Sequence, residues 1–74
     1  MTILTNVKNL KRARIKAGLS IRGLSKSAGL STATVLKIEN GDSKPAPATA
    51  KKLCDALGAS FDDLFIFYEE TEVK

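Results

Sequence analysis

The chain has 74 residues, 43% of them hydrophobic, and a net charge of +4, which suits one domain with a modest core and excludes wholesale disorder. No apolar run approaches the roughly 18 residues that span a bilayer. One cysteine without any histidine leaves neither an internal disulfide nor an ordinary transition-metal site.

The charge is one-sided. Residues 1–38 carry eight Lys or Arg and no acid, whereas residues 60–74 carry five acids and one lysine. A one-signed half-chain predicts a polyanionic partner, either nucleic acid or an anionic membrane surface. At the start, "MTILTNVKNLKR" places its apolar residues before its charges, the reverse of a secretory signal. Together with the lone cysteine this gives a cytoplasmic expectation.

Gly18, Gly29, Gly41 and Gly58 each follow a helix-like pattern and suit the left-handed residue that ends a helix. Ser20, Ser31 and Ser60 lie two residues beyond three of them, where a hydroxyl oxygen accepts from the free amides of the next helix. This punctuation predicts five short helices, at about 6–17, 21–28, 32–40, 47–57 and 61–66, and an all-α fold. In the first, Val7, Leu10, Ala13 and Ala17 make a weak apolar stripe that leaves out Ile15. In the second, Leu24, Ser25 and Ala28 make a narrow face whose small residues permit close helix approach.

The third helix divides sharply. Val35 and Ile38, with Thr34 beside them, lie on one side, while Thr32, Ala33, Leu36, Lys37 and Asn40 occupy an arc of about 140° on the other. That outer face has one cation, no anion and short side chains near its amino end, as suits a helix tip inserted into a groove. The fourth helix opens on Pro47, whose missing N–H costs nothing there, and Ala50, Leu53, Cys54 and Leu57 form its stripe. Cys54 is therefore expected in the core. The fifth has Asp62 and Asp63 in its first turn, with Ser60 and Asp63 at capping-box spacing.

Five consecutive apolar residues then follow at 64–68, "LFIFY". Phe61, Leu64, Phe65 and Tyr68 continue a helical stripe, but Ile66 and Phe67 fall outside it. Those two either bury across a dimer or form a short strand against "TILT" (2–5), and Phe65, Ile66 and Phe67 are the dimer candidates. Residues 69–74 are expected to fray.

Residues 10–65, "LKRARIKAGLSIRGLSKSAGLSTATVLKIENGDSKPAPATAKKLCDALGASFDDLF", resemble the Cro/lambda-repressor-type helix-turn-helix family, also called the XRE family. The most specific parts are "AGLS" (17–20), "GLSTATVLKIENG" (29–41), "ALGAS" (56–60) and "DDLF" (62–65), in order and with their spacings kept. The resemblance implies a five-helix lambda-repressor-like domain, with the option of a short terminal two-stranded β element. It also implies binding of double-stranded operator DNA as a homodimer, with helix three in the major groove. On these terms residues 1–74 form one domain with its core at 6–66 and its helix-turn-helix at 20–40, and 67–74 are a tail or dimer element.

Carried over by position, Thr32, Ala33, Leu36 and Lys37 align with base-reading residues, and Ser43 with a position that sometimes reaches a base. Ser31, Asn40 and Lys44 align with phosphate contacts. Arg14 and Glu39 align with a pair that often bridges helices one and three and orients the arginine towards a phosphate. The chemistry agrees: Thr32 offers a hydroxyl and a methyl, Ala33 suits thymine methyl groups, Leu36 suits either a thymine methyl or a protein partner, and Lys37 can donate to guanine O6/N7 or to a phosphate. Arg22 and Lys26, with Lys44, would flank the groove and supply salt-sensitive affinity.

Two positions depart from the family pattern. Ile21 stands where a backbone-clamping glutamine is usual, and is expected to pack partly against a neighbouring helix. Gly23 replaces the usual glutamate, which removes the capping box and costs about 1 kcal/mol of helix propensity relative to alanine.

The expected function is a sequence-specific regulator, a repressor above all, acting on a near-palindromic operator and associated with the nucleoid, and the resemblance implies a bacterial, phage or mobile-element setting. The alternative is a protein-interaction module such as an antitoxin that also regulates its own operon, and a toxin or antirepressor is the partner it would take. No cofactor, metal or membrane role is expected, and no enzymatic activity, because ordinary acid/base and nucleophilic components are missing. At this length no attached sensor or self-cleaving domain is expected.

Overall fold

The computed structural model describes residues 2–68, so the expected fraying of residues 69–74 lies outside the described part. The elements run β1 (Thr2–Thr5), α1 (Val7–Lys16), α2 (Ile21–Ala28), α3 (Thr32–Glu39), α4 (Pro47–Leu57), α5 (Phe61–Leu64) and β2 (Phe65–Tyr68). All five expected helices are present.

Their boundaries follow local chemistry. Asn6, Ser20 and Ser31 each sit in extended backbone and accept, through the side chain, an amide three residues on, which satisfies donors that no helical carbonyl can reach. Ser60 does not do this: the Asp63 amide donates to the Ser60 backbone carbonyl instead, at 3.1 Å. The expected capping box at α5 is therefore absent. At the other end, Gly29 and Gly58 close α2 and α4 with φ of 69° and 63°, a left-handed conformation in which a Cβ would be strained. Gly29 thereby sets the turn between α2 and α3.

The larger departure is at the fifth helix, which stops at Leu64 rather than 66. Phe65 takes φ −136° and ψ 161°, and the run Phe65–Tyr68, aromatic and β-branched, suits a pleated strand better than a helical turn. β2 pairs antiparallel with β1 in the register Thr2↔Tyr68, Ile3↔Phe67, Leu4↔Ile66, Thr5↔Phe65. Of the two fates open to Ile66 and Phe67, the strand against residues 2–5 is present.

The core is continuous from ribbon to helices. Leu10, Leu24, Val35, Ile38, Leu53, Leu64 and Phe65 are its largest fully buried side chains, and Ile3, Ala28, Ala50 and Cys54 complete it. Phe65 is thus consumed by the protomer's own interior. Its assignment as a dimer residue is corrected: in β2 it shares the inward face with Ile3 and lies tilted beside Phe61, with ring centroids 5.4 Å apart. Ala17 is also exposed and leaves the α1 stripe, although as the C-cap it keeps right-handed helical backbone and its amide donates to the Ala13 carbonyl at 3.0 Å. Ile21 packs half-buried against the core.

Candidate nucleic-acid interface

Packing fixes which side of α3 faces outward. Val35 and Ile38 are 0% and 1% exposed, so the opposite face, with Thr32, Ala33, Leu36, Lys37 and Asn40, is left open to solvent. Leu36 is 46% exposed, a large apolar side chain left facing solvent. The short residues at the amino end, Thr32 and Ala33, give this end of the helix little bulk. Their amides belong to the first turn, whose N–H groups have no partner inside a helix, and they add a partial positive charge at the tip.

Ser31 caps that tip. Its Oγ accepts the Thr34 amide at 3.1 Å and lies 2.7 Å from Thr34 Oγ1. When the Thr34 hydroxyl is the donor of that pair, the Ser31 proton is free to reach an oxygen outside the protein. Thr34 was placed on the inner side by helical geometry alone. Its part in setting the Ser31 proton was legible only as a cap serine followed three residues later by a second hydroxyl.

A shallow groove of about 410 Å³ joins this tip to α2, lined by Arg22, Ser25, Lys26, Leu30, Ser31 and Thr32. The packing of α2 against α3 therefore brings two exposed cations beside the cap serine and the first outward residue of α3. Ser25 is held out of play, since its hydroxyl donates to the Ile21 carbonyl at 2.8 Å. Lys44 does not join this groove. It lines a second one, of about 380 Å³, with Thr2, Ile3, Pro45, Ala46, Pro47 and Phe67. Ser43 is half-buried and Lys44 exposed in the loop after α3, where the exposed Asp42 is the nearest acid in the chain.

The other acid of this region is neutralised internally. Glu39 is 2% exposed and accepts from Arg14 through both oxygens, Nε to Oε2 at 2.8 Å and Nη2 to Oε1 at 2.9 Å. Arg14 Nη1 also donates to the Leu19 carbonyl at 2.9 Å, so one guanidinium ties α1, the turn after it and the end of α3. The hydrogen bond to Glu39 raises the Arg14 pKa above its ordinary value, against the opposing effect of burial. The expected pair is formed. A guanidinium has five N–H donors, and three are used here; the side chain is 17% exposed.

Comparison with known proteins follows the same lines. A helix-turn-helix family model matches residues 10–64. The HTH-type transcriptional regulator RghRB of Bacillus subtilis is 41% identical over 59 residues, which are 78% of this chain and 40% of that protein. YgzD, an HTH-type transcriptional regulator of the same organism, is 34% identical over 61 residues, 82% of this chain and 92% of its own. Among solved structures, an HTH_3 family transcriptional regulator from Vibrio cholerae superposes with a TM-score of 0.70 at 37% identity, covering 77% of this chain and 32% of that one. The restriction-modification controller protein C.AhdI from Aeromonas hydrophila superposes with a TM-score of 0.73 at 26% identity, covering 77% and 86%. The chain thus spans less than half of two of these relatives and most of the other two. Five helices in this order form the lambda-repressor-like fold.

Proposed function

The chain belongs to the helix-turn-helix family of transcriptional regulators, and from that membership we propose that it is a sequence-specific repressor that inserts α3 into the major groove. It acts as a homodimer on a near-palindromic operator in the cytoplasm, with half-sites about one helical turn, roughly 34 Å, apart. The observation that carries this is the outer face of α3: Thr32, Ala33, Leu36 and Lys37 stand exposed together on a helix whose inner face is locked into the core. Thr32 and Lys37 supply hydrogen-bonding groups for base edges, and Ala33 and Leu36 supply apolar contact for thymine methyl groups. Ser43 reaches a base from the loop.

Ser31, Arg22, Asn40 and Lys44 supply phosphate contacts, which position the helix without reading sequence. Arg14 contributes a phosphate contact through the donors left over by Glu39. The groove that gathers Arg22, Lys26 and Ser31 at the tip of α3 supports this division: cations beside the helix, short uncharged groups at its tip. No helix among the described residues is long and apolar enough to cross a membrane.

The test is a pair of duplexes, one selected by the wild-type chain from a random-sequence pool and one unrelated. Lys37→Ala is expected to weaken binding to the selected duplex by about 1–3 kcal/mol, and binding to the unrelated duplex by much less. Equal losses on both would remove Lys37 from the base-reading set.

A second reading, an antitoxin-like interaction module, draws on one observation: Ile66, Phe67 and Tyr68 are all more than half exposed. A stoichiometric partner copurifying from the native cell would favour it.

A further inference from the structure

α1 carries a surface that the reading of DNA leaves unused. Its ten residues, VKNLKRARIK, hold five Lys or Arg and no acid. Arg14 is engaged by Glu39. The other four, Lys8, Lys11, Arg12 and Lys16, are exposed, and none is in an ion pair among the described residues. At 100° per residue they fall with Ile15 in an arc of about 140°, centred opposite the buried Leu10. Ile15 lies inside that arc and is 66% exposed, more than any other large hydrophobic side chain among the described residues.

The stripe works against the helix that bears it. Lys8 and Arg12, and Arg12 and Lys16, are like charges four positions apart, which repel. Lys8 also stands in a first turn without an acid, where a cation opposes the helix dipole. A face that only meets solvent does as well with both signs, as on α4, where Lys51 pairs with Asp55 at 3.5 Å. Beside the stripe, Arg12 and Lys16 border a groove of about 250 Å³ between α1 and α5, with Ala13, Ala59 and Leu64 in its lining and Asp63 as the acid on its margin.

We propose that the outer face of α1 docks an acidic amphipathic helix of another protein, whose carboxylates meet Lys8, Lys11, Arg12 and Lys16 and whose apolar side chains cover Ile15 and enter the groove beside it. From Lys8 to Lys16 the stripe is about 12 Å long, a match for two turns of such a helix. The surface is separate from both the α3 face and Ile66–Tyr68, and it does not depend on the homodimer reading.

Ile15 decides between polyanions. A phosphate backbone offers this side chain no apolar contact, and Arg14, through which α1 would meet a phosphate, points about 100° away from it around the helix. A bilayer surface takes up a broad apolar face opposite the cations, whereas here one isoleucine lies among them. A second copy of the same face would repel it, since a two-fold axis sets a surface against itself. An acidic protein helix supplies both charge and apolar contact, laid against the face by its own amphipathic side.

Titration of the full chain, labelled with 15N, tests this by amide chemical shift at low salt. The probe is a synthetic helix of Glu, Ala and Leu, with its leucines on one face and glutamates on either side of them. Saturable shifts centred on residues 8–16 are expected; none up to about 1 mM peptide, or shifts confined to α2 and α3, would overturn the proposal. Replacing the peptide's leucines by alanine keeps its charge and is expected to weaken binding at least about fivefold, and Ile15→Ser about threefold. Unchanged affinity in both would reduce the surface to charge alone and overturn it.

Lys8→Glu combined with Lys11→Glu should weaken binding at least about tenfold. Both place an acid near the amino end of α1, which favours the helix, so the loss would not come from unfolding. Lys51→Glu with Lys52→Glu alters net charge equally at exposed positions of α4; an equal loss there would assign the attraction to the chain as a whole and overturn the site. An unrelated duplex or phosphatidylglycerol vesicles, each in excess, should leave the peptide on α1. Its displacement by the duplex would give the stripe to phosphates, and by vesicles to a membrane, either of which overturns the proposal.

Discussion

Arg14 holds both carboxylate oxygens of Glu39 across 25 positions of sequence, at 2.8 and 2.9 Å, and the carboxylate it holds is almost fully buried. The geometry is the parallel two-bond form in which guanidinium and carboxylate fit best. It fixes the carboxyl end of α3 to α1, while Val35 and Ile38 fix its inner face to the core. The helix that carries the outward residues is therefore clamped along its whole length.

Removing one partner of that pair exposes the cost of the other. Arg14→Met should destabilise the chain by about 3 kcal/mol, because Glu39 is then a buried charge without a counter-ion. Adding Glu39→Leu should recover most of the loss. Urea unfolding of the two variants measures it, and a double variant no more stable than Arg14→Met would show that the pair is not the source. The double variant also isolates any phosphate contact of Arg14, since its fold is kept while the guanidinium is gone.

Arg22 lies beside the cap of α3 and is expected to act on DNA by charge alone. Arg22→Ala should weaken binding to selected and unrelated duplexes alike, and should lower the slope of log K against log [salt] by about 1. A titration across 50–200 mM salt, roughly the range in which such slopes are read, decides it. A loss confined to the selected duplex would make Arg22 a base reader instead.

Gly23 is in α2 without a left-handed φ, and a Cβ added there would meet Leu19 Cδ2 and Ser20 Oγ at 3.4 Å, ordinary contact distances. Gly23→Ala should therefore stabilise the chain by about 0.5–1 kcal/mol, seen as a rise of about 2–8 °C in Tm by calorimetry. A fall in Tm would indicate that the methyl group disturbs the 3.0 Å bond from the Gly23 amide to Ser20 Oγ.

Cys54 is buried, and burial, helped by the Asp55 charge and opposed by Lys51, raises its pKa above the ordinary 9.0. The neutral thiol is the form the fold favours. Its contribution to stability is full below the unfolded value and is lost as the pH climbs beyond it. At pH 8, then, a thiol reagent such as DTNB should react slowly with the folded chain and quickly in urea. Rapid reaction without denaturant would contradict the core placement.

Most of the helical scaffold was legible because it is written in local chemistry. A glycine that must turn left-handed, followed two residues on by a serine, marks α2 and α3 within a residue of their ends, and Pro47 marks α4. Ser60 obeyed the same pattern without making the cap, since a four-residue helix needed only a backbone bond from Asp63. The strand at Phe65–Tyr68 was legible only as one of two options. Its partner lies some 60 positions away, and a short apolar run carries no period by which strand and helix differ. Phe65 was misplaced for that reason.

At the candidate site, the outward arc of α3 followed from helical geometry, and the Arg14–Glu39 pair from family resemblance. The groove shared by Arg22, Lys26 and Ser31 followed from neither, because it exists only once α2 has packed on α3. Lys44 turning towards the ribbon is likewise a property of the packed loop.

For the proposed reading of DNA by α3 on paired half-sites, the clamp has a consequence. A reading head pinned by a buried ion pair at one end, a hydroxyl cap at the other and two seated aliphatic residues between them has little freedom to adjust to an imperfect site. Adaptation then falls to the duplex, and sequences that yield easily, such as those with pyrimidine–purine steps between the half-sites, should be preferred even where no side chain touches them.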